Sequence, residues 1–127
     1  MEQSRIVMEQ TKQMLEYLKK IENIYASQAQ TGKEADFYGE VKPFVDEAHT
    51  IAERWCEMAT EWVRKEKPRN LFPQQIDACK ENFKEISVQA FYPATDYRHF
   101  KHYVNSIHYI LEKLRSELYS LKQEDTE

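Results

Sequence analysis

Apolar side chains recur along this chain in alternating steps of three and four residues, the spacing that keeps them on one stripe of an α-helix. The first stripe runs Val7, Thr11, Met14, Leu18, Ile21 and Tyr25, and the second Val41, Phe44, Ala48, Ile51, Trp55, Met58 and Trp62. The third is Phe72, Ile76, Cys79, Phe83, Ile86 and Ala90, and the fourth Phe100, Val104, Ile107, Leu111, Leu114, Leu118 and Leu121. A mean period of about 3.5 residues is that of left-handed bundle packing. The pattern therefore predicts an all-α fold in which four helices bury their stripes against one another.

Turn signals fall between the stripes. Gly32 is free to take the left-handed cap after the first helix, and Asp36 stands ready to cap the next. Pro68 ends the second helix, Pro73 suits the first turn of the third, Tyr92-Pro93 closes it, and Thr95 or Asp96 caps the fourth. Connections this short make sequential helices antiparallel neighbours, so up-down-up-down is the expected topology. Pro43 sits inside the second stripe, where it removes a backbone donor and crowds the carbonyl of Gly39. The helix is expected either to restart near Pro43 or to kink there. Residues 1–122 are read as one domain and 123–127 as a loose tail.

The 127 residues include only 2 glycines and 4 prolines against 31% charged side chains, too little turn chemistry for an all-β fold. A net charge of −4 argues against a surface built to neutralise phosphates, so nucleic acid is not an expected partner. No segment resembles a signal peptide or a membrane span, and two cysteines without a C-x-x-C spacing fit a reducing compartment. These features predict a cytoplasmic protein with no membrane partner.

Candidate chemistry is sparse. Asp46-x-x-His49 and Asp96-x-x-His99 have the spacing of di-metal bundle ligands, but Asp46 and His49 fall off the stripe, and His99 falls beside Phe100 on the outer side. His99, His102 and His108 lie on differing faces, and neither Cys56 nor Cys79 has a predictable catalytic partner. Arg64, Lys65, Lys67 and Arg69 cluster where the second helix ends; the helix dipole accounts for them without a ligand, phosphate binding being the competing reading. Catalytic, cofactor and metal residues are therefore expected to be absent. In an up-down-up-down bundle the first and third connections share an end, which gathers Tyr25, Phe37, Tyr38, Phe44, Phe91, Tyr92, Tyr97, Phe100 and Tyr103. An aromatic plug sealing that end is the simpler reading. The sharper one is a partner-binding patch of Tyr38, Tyr92 and Tyr97, which lie off the stripes.

Three segments carry a resemblance: Asp36 through Val45, Glu66 through Ile76, and Ile86 through Pro93. Over about residues 36–114 the chain resembles the YppE-like family of small bacterial helical-bundle proteins. That resemblance implies the fold and a bacterial cytosol, and it brings no activity or catalytic residue. The function expected is a non-enzymatic protein-interaction module that binds another protein. The alternative is an enzyme or metal-binding bundle with its site dispersed over several helices. No position specifies an oligomeric state.

Overall fold

The structure is a computed structural model that describes residues 2–93 and 96–125, with residues 121–125 as backbone only. The chain runs α1 (Glu2–Thr31), a π-helical turn (Phe37–Val41), α2 (Lys42–Glu66), α3 (Pro73–Gln89) and α4 (Tyr97–Asp125). Buried residues of all four helices join in one core, with Trp55, Phe83, Ile107 and Leu111 fully enclosed and Trp62 nearly so.

Side-chain pairs read out the topology. On α1 and α2, Ser4 meets Trp62, Thr11 meets Trp55 and Tyr17 meets Phe44, so the two helices run in opposite directions. Glu53 on α2 takes Lys84 on α3 at 2.6 Å and Lys80 at 3.9 Å, while His49 reaches the Lys84 carbonyl. Glu22 and Tyr25 on α1 meet Lys101 and Phe100 on α4. Each helix is thus antiparallel to its sequence neighbour, and α4 closes the ring on α1, as the short connections predict.

The stripes face the core with one exception. Phe72 is 56% exposed. It is the residue before α3, held extended at φ −124° and ψ 154°, so it has not entered the helical phase that carries Ile76 inward. Leu71 fills the core in its place. Leu121 lies outside the described side chains. Into the expected tail the α4 backbone runs helical to Asp125, through the good helix formers Lys122, Gln123 and Glu124, and 126–127 lie outside the described residues.

The helix ends follow local chemistry. Gly32 takes φ +63° and its N–H donates to the Gln28 carbonyl, satisfying an orphan acceptor of α1. Asp96 accepts from the Arg98 N–H at 3.2 Å at the start of α4; Thr95, the other cap candidate, lies outside the described residues. Before α2 the Asp36 carboxylate accepts from Gly39 N–H at 3.1 Å, and the Val41 and Lys42 N–H groups reach back five residues, to Asp36 and Phe37. This widened turn ends where Pro43, in the first turn of α2, could donate nothing to Gly39. The backbone stays helical from the π turn into α2, with Val41 and Lys42 both right-handed, so the break expected near Pro43 takes the form of a change from π to α geometry.

Lys80 lies at the seam of α3 with α2, 3.9 Å from Glu53, and its nearer partners are on α3 itself. Burial works against its charge, but hydrogen bonds to Glu81 and Asp77 outweigh that and hold the ammonium above its ordinary range. Lys84 donates to Glu53, which holds that carboxyl below its usual range despite partial desolvation. These contacts lie at the surface and contribute modestly beside the core.

Leu111→Ala is expected to cost about 2–5 kcal/mol in denaturant unfolding, since the enclosed site cannot collapse fully. Gly39→Ala drives a Cβ into the Asp36 carboxylate and displaces the cap. The expected loss is about 1 kcal/mol. Combining it with Asp36→Ala adds little further, because both remove the same hydrogen bond; additive losses in the double variant would show that the cap is not the cause.

Candidate functional site

At the end formed by the first and third connections, the rings divide into an inner and an outer set. Tyr25 stacks on Phe100 with centroids 4.0 Å apart, and Phe44 meets Phe91 edge-on at 5.7 Å. Tyr25, Phe91 and Phe100 are buried, so these rings seal the core. Gln28 ties the seal to both connections, its Nε2 donating to the carbonyls of Lys33 and Phe91.

The outer set is Tyr38 (79% exposed), Tyr92 (45%) and Tyr97 (57%), the three expected off-stripe residues, together with Phe37 (51%). Phe37 meets Tyr38 edge-on at 5.1 Å, and Tyr97 leans on Tyr25 at 5.9 Å. Tyr38 comes from the π turn, Tyr92 from the close of α3 and Tyr97 from the start of α4. They are arrayed around the sealed end without ring contact among the three. Phe37 joins the exposed rings although it is not one of the three off-stripe tyrosines. The signal for it is Pro43, which marks a break in helical phase upstream and so leaves Phe37 outside the core register.

The other candidates lie apart from this end or on the surface. Asp46 pairs with Lys42 at 2.7 Å, and His49 contacts the Lys84 carbonyl at 3.2 Å. His99 and His102 both pack edge-on against Tyr103, while His108 lies 3.9 Å from Glu112. Among the described residues no three His, Cys, Asp or Glu side chains converge as a metal site requires. Burial pushes both thiols up from their ordinary value, Cys79 far more than Cys56, which opposes thiolate chemistry. Two open depressions of about 470 Å³ lie on the outer face of α4 and in the α1/α4 groove, away from the aromatic end. Among the described residues no helix is long and apolar enough to cross a membrane.

Comparison with known proteins gives one consistent result. Residues 11–118 match the model of a bacterial domain of unknown function, DUF1798. The Bacillus subtilis (strain 168) protein named Uncharacterized protein YppE is 30% identical over 115 residues, covering 91% of this chain and 94% of that one. A crystal structure of a Listeria innocua protein of unknown function superimposes with a TM-score of 0.91 at 32% identity, covering 95% of this chain and 97% of that one. The crystal structure of YppE from Bacillus subtilis gives 0.87 at 30% identity, covering 98% of each chain.

Beside the sealed end, Tyr17 donates a short hydrogen bond to Glu47, with the Lys20 ammonium 4.4 Å from its ring centre. Burial, then the Glu47 hydrogen bond and charge, push its phenol up to about 12. The folded state therefore holds this proton more tightly than the unfolded chain, so its contribution to stability is complete below about pH 10 and is lost as pH rises toward 12. In an ultraviolet titration two of the 8 tyrosines, Tyr17 and the buried Tyr25, should ionise after the exposed ones, and Tyr17→Phe should remove the late step nearest pH 12. Survival of that step in the variant would assign it to another residue.

Proposed function

The chain belongs to the DUF1798 family of bacterial domains, which brings a fold without an activity, and from that premise we propose that it is a non-enzymatic protein-interaction module. Its recognition surface is the aromatic end, with Tyr38, Tyr92 and Tyr97 as anchors and Phe37 beside them. The observation that carries this reading is the division of labour among the rings. Tyr25, Phe91 and Phe100 already close the core, so the outer tyrosines stay largely in water while their cost in exposed apolar surface goes unrecovered within the chain. Tyrosine suits such a role because it offers a large, stiff contact area with a polar tip. The partner proposed is another protein with a complementary apolar surface, met in a bacterial cytoplasm, a setting supported by the free thiols Cys56 and Cys79.

Single changes of Tyr38, Tyr92 and Tyr97 to Ala test this by reading thermal melts beside capture of partners from a bacterial lysate. Stability should change by less than about 0.5 kcal/mol, as for ordinary surface positions. Recovery of a specific partner should fall about tenfold or more, because aromatic anchors dominate binding energy. Undiminished recovery accompanied by a lower melting point would return the three rings to the core seal.

A further inference from the structure

The opposite end of the bundle carries a feature that neither the core nor the aromatic end explains. The last turn of α2 and its connection to α3 carry Arg64, Lys65, Lys67 and Arg69, all exposed, with Glu66 as the one carboxylate among them. None of the four cations is ion-paired among the described residues. The dipole of α2 accounts for Arg64 and Lys65 in its last turn. It does not account for Arg69, which lies on the approach to the N-terminus of α3, where a helix favours negative charge.

Two positions in the same connection depart from what local stability prefers. Lys67 closes α2 at φ 50° and ψ 55°, a left-handed conformation suited to glycine, and the chain does place glycine at the corresponding position after α1, Gly32. Phe72 occupies the cap of α3, where an oxygen-bearing side chain would serve; Asp36 and Asp96 do so elsewhere in this chain. Gln75 accepts the Phe72 N–H at 2.8 Å, a different donor from those a capping oxygen at position 72 would take. The result of both departures is one more cation and one exposed ring at the same hairpin tip. Local rules broken together in this way mark sites kept for something other than folding.

We propose that the α2–α3 tip is a second docking surface, whose occupant is a short acidic segment of a partner protein with an apolar side chain among its carboxylates. The ring of Phe72 receives the apolar group, and Arg64, Lys67 and Arg69 meet the charges around it. A short segment fits better than an extended polyanion because the flanks below the tip are acidic. Glu57 and Glu61 on α2, and Asp77 and Glu81 on α3, are all exposed. A membrane surface or a nucleic acid strand laid on the tip would bring phosphates within about a Debye length, 8–10 Å, of the nearest of these carboxylates, Glu61, about one turn below Arg64. The tip is at the far end from Tyr38, Tyr92 and Tyr97, so it stands or falls independently of the aromatic surface.

The test uses the whole chain and a labelled synthetic peptide, Asp-Glu-Asp-Phe-Glu-Asp-Glu, in fluorescence anisotropy. The expected result is saturable binding that weakens with added salt and is absent for the Asn/Gln counterpart of the peptide. Arg64→Gln with Arg69→Gln should weaken it about tenfold, near threefold for each exposed ion pair. Lys67→Gly is the most telling variant, because it should melt higher than the parent and yet bind less. Phe72→Ser should keep or raise the melting point, having gained a cap, and also bind less. The proposal is overturned if the parent shows no saturable binding, or if the variants bind as well as the parent. Tighter binding to phosphatidylglycerol vesicles or to single-stranded RNA than to the peptide would overturn it equally.

Discussion

Burying a tryptophan takes an N–H away from water, and α2 does this twice, at Trp55 and Trp62. Each indole finds a hydroxyl on α1: Trp55 donates to Thr11 and Trp62 to Ser4, both at 3.0 Å. The donors are seven residues apart and so are the acceptors, so one register of α1 on α2 satisfies both. A slip by one turn would leave both without their partners, at about 1–3 kcal/mol for each buried group left unpaired. Thr11 completes the arrangement by donating its own proton to the Val7 carbonyl at 2.7 Å. With that pair of helices fixed, α3 and α4 pack mainly by apolar fit, helped on α2 by the small buried residues Ala48, Ala52 and Ala59 and edged by the Lys84–Glu53 and Lys101–Glu22 ion pairs.

Most of this fold is legible in the sequence because helical phase is a local property. The steps of three and four among Val7 to Tyr25, or Phe100 to Leu118, need no knowledge of the partner helix. The role of Thr11 is different. Its place on the stripe is readable, but its use as the acceptor for Trp55 depends on which side chain lies opposite across the bundle. Phe72 escapes for a related reason: periodicity cannot say where a helix begins, and a ring one residue before the first turn is not yet in phase. The left-handed backbone at Lys67 is similarly hidden, since Pro68 signals a stop without saying which conformation makes it.

The candidate surface was legible in part. That Tyr38, Tyr92 and Tyr97 fall off the stripes follows from the sequence, and their shared end follows from the topology. How far each leans on a neighbour does not, because loop paths decide it: Tyr97 rests against Tyr25, while Tyr38 projects with Phe37 from the π turn. At this end the rings form two sets, one buried and one exposed, and the exposed set is the one for which a binding role is proposed. Family likeness adds the certainty of the architecture and leaves the assignment of function to these surfaces.

The π turn has a consequence for how the chain tolerates changes of length. Hydrogen bonds that reach back five residues enclose one residue more than an α-turn does. A single deletion within Phe37–Val41 can therefore be absorbed by a return to ordinary α geometry, keeping the exposed rings joined to an undisturbed α2. The same deletion between Ala48 and Trp55 would turn every side chain beyond it by about 100° around the axis and carry the indoles off the core. Length variation is thus cheap where the molecule presents its aromatic end and prohibitive a few turns later.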